Sequence, residues 1–156
     1  MLFRSVIYLD VIECTLPLRR VATRTSDPFH TTALGRAIAS RLPDERRARL
    51  LARAKLERRT AATIADRRWL AAEIEKASRQ GYAIEESETD LGVACIGAPV
   101  CVGDEVVGAV SVSLPTPRLD AAGRRRLVAL VQKTAKTISN RIVSSSSRSS
   151  TRKESR

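Results

Sequence analysis

Two hydroxyls, a thiol and a carboxylate are the side chains of this sequence best spaced for chemistry. Ser111 and Ser113 lie two apart in the run Val106–Ser113, VVGAVSVS. Cys95 lies in an earlier apolar run, VACIGAPV, from Val93 to Val100, and Glu85 opens an acidic stretch with Glu86, Glu88 and Asp90. On a strand, a spacing of two puts Ser111 and Ser113 on one face with Val107 and Ala109, while Val106, Gly108, Val110 and Val112 take the other. A hydroxyl both donates and accepts, so such a pair can orient a polar ligand. The small side chains beside them leave room for something to approach, and the carboxylates could form one wall of a pocket. The plainer reading is a well-packed sheet with two serines near its edge.

No catalytic constellation stands out, so the sequence does not read as an enzyme. His30 is the only imidazole, and no nucleophile-elbow signal accompanies the serines. Gly97, Gly103 and Gly108 lack the context of a phosphate loop and read as strand and turn glycines. The three cysteines, Cys14, Cys95 and Cys101, show no C-x-x-C spacing, which argues against a disulfide framework, a metal site or a cofactor.

The elements that must position these groups are legible by pattern. The two apolar runs flank Cys101–Glu105, a short polar break with a glycine, which predicts a β-hairpin. A short strand at Tyr82–Glu85 precedes it, and Pro115 and Pro117 end the sheet. Upstream, Val6–Ile12 is β-branched and aromatic, a strand by composition. Arg19–Thr25 alternates weakly as a second strand, which Ser26-Asp27-Pro28 ends. Thr31 or Thr32 caps a helix to about Ser40 with Leu34, Ala37, Ile38 and Arg41 at helical spacing. Pro43 suits the first position of a second, surface helix with a thin stripe of Leu50, Leu51 and Ala54. Asp66 caps a third helix that buries Leu70, Ile74 and Ala77 and stops at Gly81. Asp120 caps the last, with Leu127, Leu130, Val131, Ile138 and Ile142 on one face. Residues 144–156, Ser- and Arg-rich without an apolar side chain, read as a disordered tail.

The 156 residues suffice for one domain, here 1–143, and with only five aromatics its core must be Leu, Ile, Val and Ala. The net charge is +11. Most of it sits on residues 41–59, where eight bases face Asp44, Glu45 and Glu57, and on the tail. Such a surface attracts polyanions loosely but lacks the interleaved aromatics of a single-strand binder. The N-terminus is neither a signal peptide nor a spanning segment, so the expected location is the cytoplasm, without a membrane partner.

Four segments resemble the effector-binding domain of IclR-type bacterial transcription regulators: His30–Ala37 (HTTALGRA), Thr60–Asp66 (TAATIAD), Arg79–Ala83 (RQGYA) and Cys95–Pro115. Each is weak alone, but they follow the family's order and spacing over about residues 5 to 143. The resemblance implies a GAF-like α/β (α+β) fold, a curved antiparallel sheet flanked by helices and cupping a small-molecule effector. It implies a pocket for a small organic acid built from the positions matching Ala33, Leu34, Glu85, Val93, Cys95, Ser111 and Ser113. The amides of Ala33, Leu34 and Gly35 at a helix start would supply the donors. Two departures stand out. The family's N-terminal winged helix–turn–helix is absent, so contact with DNA would be indirect, and the chain reads as N-terminally truncated, because Val6–Glu13 looks like the family's second strand. The loss of a first strand leaves an open edge beside Val6–Ile12, which predicts a homo-oligomer. The alternative is a GAF-like oligomerisation module with a closed core and no ligand.

Overall fold

A computed structural model of the chain describes residues 4–12 and 25–151, with side chains through residue 145. Its elements run β1 (Ser5–Ile7), β2 (Ser26–Pro28), α1 (Ala33–Ala39), α2 (Asp44–Arg53), α3 (Arg67–Gln80), β3 (Ala83–Glu86), β4 (Val93–Val102), β5 (Glu105–Pro115), a 3-10 turn (Thr116–Arg118) and α4 (Ala121–Thr151). The arrangement is α+β, with two open antiparallel sheets, β1-β2 and β3-β4-β5.

The central hairpin forms because its two β-branched runs meet around the two-residue turn Gly103-Asp104. Gly103 takes φ 58°, left-handed backbone that glycine adopts without steric cost. Val102 then faces Glu105, Ala98 faces Val110 and Cys95 faces Ser113, down to Val93 opposite Pro115. One irregularity, between Val100 and Cys101, interrupts the register. Alternation then sorts the side chains. Ala98, Val100, Val110 and Val112 pack on Val131, Ala135, Ile138 and Ile142 of α4. On the opposite face Val93 and Cys95 meet Ala33 of α1, and Ala83 and Ala109 join Ala37 of α1 and Ala77 of α3. A second core of Phe29, Leu42, Leu50, Leu70 and Ile74 ties the three shorter helices together.

The caps are local chemistry. Thr32 Oγ1 accepts from the Gly35 amide at 3.0 Å, Asp66 Oδ1 from the amides of Arg68 and Trp69, and Asp120 Oδ1 from that of Gly123. Gly81 closes α3 in the left-handed conformation with its N–H on Ala77 O.

Several expectations need correction. The strand read at Val6–Ile12 is only Ser5–Ile7, because its partner is three residues long; Leu9 and Ile12 are exposed. That partner is Ser26–Pro28, the segment read as a break. The Asp27 carboxylate is buried there, accepting from Tyr8 Oη at 2.8 Å and from Arg59 Nη1 at 2.6 Å. The strand expected at Arg19–Thr25 falls, but for Thr25, outside the described residues. Pro43 caps α2 rather than opening it. The buried residues of α1 are Ala33, Gly35, Arg36, Ala37 and Ala39, so of the expected stripe Ala37 faces inward, Leu34 and Ile38 are half-buried and Arg41 is exposed, while Arg36 is buried. Leu130 is exposed, and Val131 and Ala135 are the residues that α4 buries against the sheet. α4 continues beyond Val143, where Ser144 and Ser145 donate back to Asn140 O and Ile142 O. No described helix is long and apolar enough to cross a membrane.

The longest unpaired edge among the described residues is not beside β1. Among the described residues β5 has one neighbour only, and its stretch Val106–Leu114 carries no charge and no proline. Edge strands without such guards recruit another strand. Concentration-dependent self-association is therefore expected by light scattering. Val107→Lys, at a half-exposed position on this strand, should reduce it, and a parent that stays monomeric at high concentration would refute the expectation.

Candidate functional site

The period of two, the hairpin register and the pairing of β3 with β4 together set one row across the sheet. Glu85 is opposite Cys95, and Cys95 is opposite Ser113. Cys95 Sγ and Ser113 Oγ lie 3.1 Å apart. In the neighbouring row Ala83, Gly97 and Ser111 face one another. The first turn of α1 lies directly above. A methyl group on Gly97 would sit 2.9 Å from the carbonyl carbon and oxygen of Ala33 and 3.1 Å from the Leu34 amide nitrogen.

Six of the eight residues singled out from the sequence, Ala33, Glu85, Val93, Cys95, Ser111 and Ser113, thus come to one region between α1 and the sheet. Gly35 instead presses against the backbone of Phe29, and its amide is already held by Thr32. Leu34 is half-buried. The small residues expected to leave space are the contact by which the helix approaches. The region is open at β5, where Ser111 is half-buried and Ser113 exposed. Two surface clefts lie elsewhere. One of about 460 Å³ is bordered by Arg41, Cys101, Lys136 and Ser139, and one of about 280 Å³ by Arg36, Lys76, Glu86 and Arg124.

The acidic stretch does not act as one cluster. Alternation on β3 separates Glu85 from Glu86, and Glu86 pairs with Arg124 of α4 at 2.5 Å. Glu88 turns beneath α1 and takes both terminal nitrogens of Arg36, one of them at 2.7 Å. Arg36 is fully buried, and its Nε donates to His30 O at 3.0 Å. The same loop is stapled by the segment Thr60–Asp66. Thr60 Oγ1 donates to Ser87 O, Thr63 Oγ1 to Glu88 O, and the Ile64 amide to Glu88 Oε2 at 3.1 Å. Sequence reading missed this pair. The signal was available as an arginine on the small-residue face of α1, flanked by Ala33 and Ala37.

Glu85 is 1% exposed. Its Oε2 accepts from the Glu88 amide at 3.0 Å, while Oε1 has no hydrogen-bond partner among the described residues. Burial pushes its carboxyl above the usual glutamate range, and the Glu88 carboxylate adds to this. The Cys95 thiol and the amides of Glu88 and Thr89 favour the anion, but burial outweighs them. His30 is held below its ordinary value, first by burial, and a ring nitrogen lies 3.1 Å from Glu57 O. It is a buried anchor; the charges of Glu88 and Glu57 raise it, and burial and the Arg36 charge outweigh them.

Residues 3–140 match the model of the bacterial transcriptional regulator IclR C-terminal domain. The chain belongs to the IclR family. Among its relatives, the HTH-type transcriptional regulator KdgR of Dickeya chrysanthemi is 28% identical over 142 residues, covering 88% of this chain and 46% of that protein. The crystal structure of Thermotoga maritima IclR superposes with a TM-score of 0.83 at 25% identity, covering 86% of this chain and 56% of that one. A double mutant of the Acinetobacter PobR inducer-binding domain, solved as a complex with 3-hydroxybenzoic acid, gives 0.76 at 21% identity over 87% of this chain and 82% of that one. The last likeness is one of fold. This IclR-type chain spans about half the length of the curated relatives it matches. The family accounts for the role of an effector-binding domain of a transcription regulator and not of an enzyme.

Proposed function

We propose that the region between α1 and the β3-β4-β5 sheet binds a small organic acid. Occupancy would reach DNA through a helix–turn–helix domain of the kind its relatives' names describe and through rearrangement of subunits. The observation that carries this reading is the row Glu85–Cys95–Ser113 lying beneath the start of α1. Ser111 and Ser113 can each donate to a carboxylate or accept from a ligand hydroxyl. Ala33, Val93 and Cys95 supply a small apolar wall, and the amides of Ala33 and Leu34 sit at the positive end of the helix. The fold shared with a domain complexed to 3-hydroxybenzoic acid supports the choice of aromatic acids beside aliphatic ones as ligands to try.

The rival reading is an oligomerisation module with a closed core. It is favoured by the tight Gly97–Ala33 approach, which leaves α1 little clearance over the sheet. A thermal-shift screen of small mono- and dicarboxylic acids, 3-hydroxybenzoate included, separates the two. Ligand at about a hundred times its dissociation constant adds roughly 2.7 kcal/mol to stability, or about 5–10 °C in a domain of this size. The expected result is a hit that loses most of its shift in Ser111→Ala/Ser113→Ala. A well-folded sample that no acid shifts, or a hit that shifts parent and double mutant equally, favours the closed module.

A further inference from the structure

Glu85 raises a difficulty for the proposed site, because a carboxylate is a poor neighbour for an acid's anion. We propose that Glu85 stands as the neutral acid and donates its proton in a hydrogen bond to the bound effector's carboxylate, so that effector affinity falls as pH rises. This rests on the reading of the site just given and specifies its regulation.

The geometry is that of a buried carboxyl with no cation among the groups that favour its charge, which are the Cys95 thiol and the amides of Glu88 and Thr89. The buried cation of α1, Arg36, reaches the neighbouring carbonyl of Ile84 and not Glu85. Both terminal nitrogens of Arg36 are committed to Glu88, and its Nε to His30 O. From the loop after β3, the Glu88 carboxylate repels a second charge, while the Glu88 amide satisfies only Oε2. From β4 comes the Cys95 thiol, itself 3.1 Å from Ser113 Oγ on β5. On α3, Lys76 pairs with Glu73 at 3.4 Å and Arg79 with Glu75 at 3.3 Å. Arg124 of α4 is on the opposite face with Glu86. Oε1 is left buried and, among the described residues, without a hydrogen-bond partner, in the row that leads to Ser113. A buried polar atom with no partner costs free energy, and a ligand oxygen that accepts its proton removes that cost.

In the chemistry of binding, the proton stays on Glu85 Oε1 and is shared with the ligand oxygen; no bond to carbon forms or breaks. Above the pH at which Glu85 ionises, binding must take up one proton, so affinity should fall about tenfold per pH unit. Glutamine in the same place keeps an N–H donor and has nothing to ionise. Alanine keeps neither donor nor acceptor.

Three readouts on the full chain decide the proposal. The first needs no ligand. Infrared spectra at neutral pH should show the carbonyl band of an un-ionised carboxyl, missing from Glu85→Gln; if no such band is found, the proposal is overturned. The second is stability against pH. A native carboxyl that holds its proton longer than the unfolded chain's loses stability as pH rises from the ordinary glutamate value through its raised native value. The parent's melting temperature should therefore decline over that window relative to Glu85→Gln, and equal slopes count against the proposal. The third is calorimetric titration with 3-hydroxybenzoate, benzoate, acetate and pyruvate in buffers of different ionisation heat. Expected are a falling affinity with proton uptake in the parent, a flat profile in Glu85→Gln and weak binding in Glu85→Ala. A parent whose affinity is flat overturns the linkage. A neutral Glu85 with no acid bound overturns the effector class itself, so failure of the site and failure of the proton linkage give different results.

Discussion

Glu88→Ala should lower the melting temperature by roughly 10–15 °C, the loss of about 3–5 kcal/mol that follows when one partner of a buried ion pair is removed. The reason is the burial of what remains. Arg36 is 1% exposed, and without Glu88 its guanidinium would keep only the carbonyls of His30 and Ile84. An arginine cannot shed its proton to escape. Glu88 does more than neutralise it: Oε2 also accepts the Ile64 amide, so the variant strands a backbone donor in the segment that covers the loop. The control is Glu45→Ala, which removes the partner of Arg49 at 3.6 Å from a glutamate that is 83% exposed. A solvent-screened pair of that kind contributes under about 1 kcal/mol. The double variant Arg36→Met/Glu88→Leu should recover part of the loss and not all of it, because the carbonyls of His30 and Ile84 and the Ile64 amide stay unserved. Thermal unfolding of the four proteins measures this. A Glu88→Ala shift no larger than that of Glu45→Ala would show that the pair is not the anchor of α1.

The contrast between those two ion pairs also marks what the sequence could disclose. Glu45 and Arg49 are four apart on one helix, so their pairing is visible in the spacing. Arg36 and Glu88 are 52 positions apart and meet only once α1 has been laid on the sheet. The same division runs through the fold. The caps at Thr32, Asp66 and Asp120, the stop at Gly81 and the hairpin were legible because each is decided within a few residues. The hairpin register then carried Ser111 and Ser113 to one face, and the β3–β4 pairing carried Glu85 and Cys95 to the same row. Which glutamate would win the arginine was not legible, since Glu85, Glu86 and Glu88 have one composition and three different surroundings. The length of β1 was hidden too. Val6–Ile12 has strand composition throughout, but strand composition without a partner makes no ladder, and Ser26–Pro28 pairs with only two of its residues, Val6 and Ile7, besides Ser5.

Gly35→Ala should be more damaging than an alanine in a helix has any right to be on propensity alone. Glycine inside a helix is about 1 kcal/mol worse than alanine, so the simple expectation is a gain. The packing reverses the sign. A methyl group on Gly35 would lie 2.2 Å from the carbonyl oxygen of Phe29 and 2.4 Å from its Cα, backbone atoms that no rotamer change can move aside. Phe29 is 2% exposed and belongs to the helical core, and its own amide donates to Arg4 O. Room can be made only by lifting α1 or by breaking that core. Overpacking costs about 1–3 kcal/mol where side chains can adjust, and more is expected here because they cannot. Gly97→Ala should follow at a smaller cost, since its methyl group would meet the Ala33 carbonyl at 2.9 Å and the Leu34 amide at 3.1 Å. Gly108→Ala, with open space around its notional methyl group, should be neutral or slightly stabilising. The order Gly35, then Gly97, then Gly108 in lost melting temperature is what a scan of the three variants should return. Gly97→Ala matters most for the proposed effector site, because it raises the start of α1 from the row of Ser111 without touching a hydroxyl or a carboxyl. A stable Gly97→Ala protein that binds its acid as the parent does would mean that the helix can ride higher over the sheet at no cost. The close approach of Ala33 to the strand would then be incidental to recognition.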